Sequence, residues 1–219
     1  MKKIEETKFN IGELKGISAK NIEEHLKLYS GYVKNANLIR EKISEYSSSF
    51  GDNAYVIGEL QRRFGFEWNG VRNHEYYFKS LEGGAKNLPS GSLLKEEIEK
   101  NSPLSPEENN IQTLEKGEVN EAQNVSFEKW LDFFKNMAMT RGVGWAVLGW
   151  DKKTKQLMHL WIDEQHIGQL NQVEWILGID MWEHSFIYDY PTSEKKKYVD
   201  AFFENINWEV IEENFKSVK

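Results

Sequence analysis

Trp175-Ile176-Leu177-Gly178-Ile179-Asp180-Met181-Trp182-Glu183-His184 is the stretch on which the reading of this chain turns. Its apolar run, residues 175–179, reads as a buried strand, and the residues after Asp180 read as a helix start. Asp180 and His184 stand on either side of Trp182, a carboxylate and an imidazole placed as hard and borderline metal donors. The end of a strand is a rigid place to hold such a donor. The same residues also suit an N-cap Asp beside a core histidine with its hydrogen bonds satisfied. The segment alone leaves both readings open.

Working outward, residues 144–150 and 156–162 read as two strands joined by the turn Asp151-Lys152-Lys153-Thr154, and residues 173–179 as a third. Helices precede and follow them. Residues 18–47 carry apolar and aromatic positions at helical spacing, with Ser18 as N-cap. After a turn at 47–52, a second helix is expected over 53–80, its middle weakened by Gly65 and Gly70. Residues 81–91 form a linker and 92–100 a short helix. Residues 101–124 read as a polar surface insertion, and Ser126 opens a helix that ends near Arg141 and Gly142. Two helices near 194–205 and 208–215 close the chain. This order gives an α+β fold: an N-terminal long helical hairpin followed by an α/β domain with a three-stranded antiparallel sheet. The expected division is 1–90 for the hairpin domain and 91–219 for the α/β domain.

Composition narrows the chemistry. With 219 residues the chain can bury a substantial core. It has no Cys, so disulfide frameworks, thiolate clusters and Cys nucleophiles are excluded, and metal donors must be nitrogen or oxygen. No apolar run approaches the roughly 18 residues of a spanning helix, so no membrane partner is expected. The formal net charge of −7 argues against nucleic acid as a partner. The N-terminus lacks the apolar core of a signal peptide, and a cytoplasmic location is the expectation.

Three segments carry a family resemblance. Asp180-Met181-Trp182-Glu183-His184-Ser185-Phe186 resembles the C-terminal signature of the iron/manganese superoxide dismutase family. Residues 17–25, Ile-Ser-Ala-Lys-Asn-Ile-Glu-Glu-His, look like its first-ligand segment. Asn73-His74-Glu75-Tyr76-Tyr77-Phe78 is similar to its Asn-His-aromatic segment. The resemblance runs from about Phe9 to Phe215. It implies one Mn ion per chain, with Fe as the alternative, held by His25, His74, Asp180 and His184. It also implies conversion of superoxide to dioxygen and hydrogen peroxide. Gln165, in Asp163-Glu164-Gln165-His166, takes the position of the Gln that bonds the metal's solvent ligand, and Tyr32 that of the Tyr beside the substrate channel. Gly70 with Gln165 follows the manganese-type pattern. Trp145, Tyr77, Phe78 and Trp182 take the positions of an aromatic cage. Glu183 takes that of a carboxylate reaching across a homodimer interface to His184. His159 and His166 lie outside the implied ligand set.

The chain departs from the pattern in four places. His25 and Tyr32 are seven residues apart where the family usually has eight. Seven residues return a regular helix to one face, so an unbroken helix is expected there, with Glu24 pointing away. Leu28 and Tyr29 stand where the family has a His pair, and Ile187 where it has an aromatic. The usual Arg near the channel mouth is not evident, and Lys195 and Lys27 are the expected sources of positive field. These departures keep open an alternative of another class, a catalytically silent interaction protein on the same fold.

Overall fold

Ser18 starts the first helix. Its hydroxyl accepts a hydrogen bond from the Asn21 amide at 3.1 Å, satisfying one of the N–H groups that a helix start leaves unpaired. In the computed structural model, which describes residues 2–101 and 126–219, this helix, α1, spans Ala19–Tyr46 without interruption. A short tight turn at Ser47–Ser49 reverses the chain, and α2 spans Phe50–Lys79. Ile22, His25, Tyr29, Val33 and Ala36 form the buried stripe of α1, recurring every three or four residues. Glu67, Gly70, His74, Tyr77 and Phe78 face it from α2. Gly65 and Gly70 do not break the helix. At Gly70 a side chain is excluded, because a Cβ would collide with the Tyr32 ring.

Helix α3 (Leu93–Asn101) is capped from a distance. The Glu212 carboxylate accepts from the Leu93 and Leu94 amides at 3.0 and 3.1 Å and from the Ser92 hydroxyl at 2.6 Å. Helix α4 (Phe127–Ala138) is capped by Ser126, as its sequence predicts. From residue 102 onward, the insertion expected at 101–124 lies outside the described residues.

Strands β1 (Gly144–Asp151), β2 (Gln156–Asp163) and β3 (Val173–Asp180) form one antiparallel sheet in the order β2-β1-β3. The central strand is buried along nearly its whole length, so it reads as a continuous apolar run rather than an alternating one. The register sets Trp145 opposite Asp180 on β3 and opposite Ile162 on β2. The start of β1 and the ends of both neighbours therefore share one edge of the sheet. After Asp180 the expected helix start is a single 3₁₀ turn at Glu183–Ser185 and goes no further. Helices α5 (Lys195–Asn205) and α6 (Trp208–Val218) follow. Tyr77 of α2 stacks on Phe202 of α5 with centroids 5.3 Å apart, and Trp150 of β1 meets Phe215 of α6 edge-on at 5.3 Å. Each such buried ring contributes about 1.5–3 kcal/mol of transfer free energy. The architecture is the expected α+β arrangement of helical hairpin, three-stranded sheet and closing helices.

Candidate metal centre

The hairpin and the sheet edge meet at four residues. His25 from α1, His74 from α2, Asp180 from the end of β3 and His184 from the turn after it each offer one donor atom, and these four atoms lie within 4.8 Å of one another. The side chains of His25, His74 and Asp180 are fully buried, and that of His184 is 20% exposed. The Nε2 atoms of His25, His184 and His74 converge on a single oxygen, Asp180 Oδ2, at 3.0, 3.2 and 3.5 Å.

The tautomer of His74 follows from its partner. Its Nδ1 lies 2.6 Å from the Gly70 carbonyl, which can only accept, so Nδ1 carries the proton. Nε2 then presents a lone pair toward a carboxylate oxygen and has no hydrogen-bond partner among the described residues. Two lone pairs facing each other in a buried site repel unless a cation lies between them. The donor set, three imidazoles and one carboxylate, fits Mn or Fe.

Burial pushes the His74 imidazole down to about 3, with neighbouring His25 adding to the effect, so it stays neutral. Burial lowers His25 as well, against the opposing pull of Asp180. Burial alone would raise Asp180, but His184 and His25 outweigh it and hold the carboxyl well below the usual range. The neutral form of His25 and His74 and the ionised form of Asp180 are therefore the favoured ones. Asp180 is further fixed through its backbone, since its carbonyl accepts from the Tyr198 hydroxyl at 2.8 Å and from Ser185 Oγ at 3.0 Å.

Beside the cluster runs a polar relay. The indole N–H of Trp145 donates to Gln165 Oε1 at 3.0 Å, and because an indole cannot accept, this fixes which end of the amide is oxygen. Gln165 Nε2 donates to the Tyr32 hydroxyl, also at 3.0 Å. Asn73 holds the Gln165 carbonyl at 2.9 Å. The Tyr32 ring lies 5.1 Å from His74, and burial raises its hydroxyl above the ordinary range. Tyr77, Phe78 and Trp145 pack on the ligand rings, and Trp182 stacks on His184 at 5.6 Å.

The register across the seven-residue spacing is that of a regular helix. His25 points into the cluster, while Glu24 pairs with Lys20 and Lys27 on the outer face. Tyr29, in the position of a missing His, accepts from the Thr7 amide at 2.9 Å and donates to Glu75 at 3.2 Å. His159 accepts from the Trp130 indole at 2.8 Å, well away from the cluster, and His166 is not part of it.

The two expected sources of positive field make contacts of different kinds, and only Lys27 meets carboxylates. Lys27 is spent on Glu23 and Glu24, and Lys195 donates to the Thr140 carbonyl. A cation that acts on Tyr32 is one that the sequence reading missed. Arg63 stacks on Phe66 with its Cζ 3.8 Å from the ring centroid and pairs with Glu67 at 2.9 Å. The signal was present in the spacing: residues 63, 67, 70 and 74 fall at i, i+4, i+7 and i+11 on one helix face.

Residues 115–214 match the profile described as iron/manganese superoxide dismutases, C-terminal domain. Over 208 residues the chain is 31% identical to a superoxide dismutase [Fe] of Aquifex aeolicus, covering 93% of this chain and 86% of that protein. It is 28% identical over 211 residues to a mitochondrial superoxide dismutase [Mn] of Glossina morsitans morsitans, covering 94% and 85%. A superoxide dismutase [Mn] 2 of Halobacterium salinarum is 40% identical over 93 residues, 42% of this chain and 46% of that protein. The cluster geometry and these likenesses agree, and the chain belongs to the iron/manganese superoxide dismutase family.

Proposed function

We propose that this protein is a superoxide dismutase holding one Mn ion, with Fe as the alternative, through His25, His74, Asp180 and His184. The observation that carries the reading is the convergence of three imidazole Nε2 atoms on one Asp180 oxygen, with the lone pair of His74 left facing a carboxylate. Bound there, Mn or Fe supplies one-electron redox chemistry between its divalent and trivalent states.

The chain's own residues handle protons and position. Two superoxide anions and two protons give dioxygen and hydrogen peroxide. Tyr32 accepts from Gln165 through its hydroxyl oxygen, so its own O–H proton is free to be donated toward the substrate side. Burial keeps that proton in place at neutral pH. Gln165 spends one amide N–H on Tyr32 and has a second for the solvent ligand, while Trp145 holds the amide in register. The silent alternative has no use for this relay beside an intact donor set.

The finer assignments are proposals of the same kind. Glu183 is exposed, and Ile187 and Tyr188 next to it are 46% and 55% exposed. This patch supports a homodimer in which Glu183 reaches His184 of the partner subunit. The cysteine-free chain needs no oxidising compartment, which supports a cytoplasmic location. Among the described residues no helix is long and apolar enough to cross a membrane. The change from paired helices to sheet supports a division at 1–90 and 91–219. The test is metal analysis of purified protein together with a superoxide-consumption assay. Stoichiometric Mn or Fe with rapid dismutation is expected, and metal-loaded protein that leaves superoxide untouched would defeat the reading.

A further inference from the structure

The side of the cluster that approaches solvent is lined by half-buried rings. Phe66 lies 5.9 Å from Tyr32, 6.5 Å from Trp182 and 5.9 Å from His166. Trp182 in turn stacks on His184, the one donor residue with measurable exposure. Phe66 is thus the ring that the gateway residues share. Arg63 sits over it, with Cζ 3.8 Å from the ring centroid, and is itself 51% exposed. The guanidinium gives Nε and one terminal nitrogen, at 3.0 and 2.9 Å, to the same oxygen of Glu67, whose side chain is only 6% exposed. The positive end of this pair faces water and the negative end faces the interior. Both residues stand on the face of α2 that carries Gly70 and His74.

This orientation matters because the substrate is a small anion and the chain carries a formal charge of −7. A negative molecule repels such a substrate except where a local cation outweighs the mean field. Lys27 is outnumbered by Glu23 and Glu24, and Lys195, which keeps its charge, stands over the Trp161 ring rather than over Phe66.

We propose that Arg63 and Glu67 act as an opposed charge pair that governs entry of small anions past Phe66. The guanidinium draws the anion to the opening. The buried carboxylate anchors the guanidinium on the ring and subtracts from its field. The role rests on the superoxide dismutase reading and adds two residues to it. It also makes a prediction of sign: removing one charge must weaken anion binding, and removing the other must strengthen it. A purely structural ion pair would give loss in both directions.

The experiment is an optical titration of manganese-loaded, oxidised protein with azide at low ionic strength. It compares wild type, Arg63→Gln, Glu67→Gln and the double variant at matched metal content. The expected azide Kd rises by about threefold or more in Arg63→Gln, falls by about threefold or more in Glu67→Gln, and returns close to wild type in the double variant. Salt at about 0.5 M should compress all four values together, because the Debye length then falls well below 8 Å. If Arg63→Gln fails to hold metal, Glu67→Gln decides alone: tighter azide supports the pair, and unchanged or weaker azide overturns it. Equal affinities across the set, beside normal superoxide consumption by wild type, overturn the pair and leave the enzyme reading standing. Metal-loaded wild type that neither binds azide nor consumes superoxide overturns both.

Discussion

His74 and His184 serve the same cluster, but the molecule holds them by different means. His74 is enclosed near the C-terminal end of α2, with Nδ1 locked to the Gly70 carbonyl one turn earlier and aromatic rings on several sides. His184 sits in a three-residue turn, partly exposed. Its contacts are Asp180 on one ring nitrogen, the stacked rings of Trp182 and His74, and the His25 ring edge-on. In α2 the helix backbone supplies the ring anchor, because the Gly70 carbonyl lies within reach; His25 on α1 has no such bond, and its Nδ1 is buried without a partner among the described residues. A turn supplies none. The difference teaches that three donors are positioned by the fold of one chain, whereas the fourth has room for a contact from outside it.

The largest effect should come from the locked side. His74→Ala, or Asp180→Ala at the strand end, should abolish stoichiometric Mn or Fe binding, and His159→Ala should retain both metal and activity. Equal metal loss from His159→Ala and His74→Ala would sink the ligand assignment. Gln165→Leu comes next. It cuts the link from Trp145 to Tyr32 without touching a metal donor. Near-normal metal content is expected, with turnover reduced at least about tenfold, roughly 1.4 kcal/mol of barrier. Unchanged turnover would mean that the relay does not orient the solvent ligand.

The loosely held side is tested by Glu183→Ala. If Glu183 braces His184 across a homodimer, light scattering should show about half the native mass at micromolar protein. Metal should also be released faster than from wild type. A variant that keeps both the native mass and the native release rate would show that the turn holds His184 unaided.

The smallest effect is expected far from the cluster, at Glu212. Burial pushes this carboxyl up, but the Ser92 hydroxyl and the Leu93 and Leu94 amides outweigh it and hold it below 4.5. A depressed folded value means stability that is complete above the unfolded value and is lost as pH falls through the folded one. Glu212→Gln should cost about 1–2 kcal/mol at pH 7. The difference in Tm between wild type and variant should narrow as pH falls from 7 toward 3. A gap constant with pH would show that the carboxylate's charge contributes nothing to the α3 cap.

What the sequence disclosed follows the same contrast between locked and loose. Helix and strand positions with strong periodicity were legible to within a few residues, from the stripe Ile22, His25, Tyr29 on α1 to the apolar run of β1. All four cluster residues could be named, because each sits in a short distinctive segment. The helix start expected after Asp180 is one 3₁₀ turn at Glu183–Ser185 and goes no further; Ser185 Oγ turns back onto the Asp180 carbonyl there. Gly65 and Gly70 looked like interruptions of α2. Propensity argued for a break, but the close approach of the Tyr32 ring decides the residue at 70. The Arg63–Glu67 pair went unread because a charge pair one turn apart on a helix usually belongs to solvent, and only the packing of Phe66 against Tyr32 gives it a location. The replacement of a His by Tyr29 was visible, but its bonds to Thr7 and Glu75 depend on where the N-terminal segment lies.

The complete burial of His25, His74 and Asp180 has a consequence for time rather than for geometry. An ion held there would be closed off on the side of these three residues and approachable only past His184, whose side chain is 20% exposed. Its exchange rate would then follow how often the Glu183–Ser185 turn opens, a local event that leaves the hairpin and the sheet intact. The time an ion stays would thus be set by the donor that the fold holds least tightly, not by the three that it encloses.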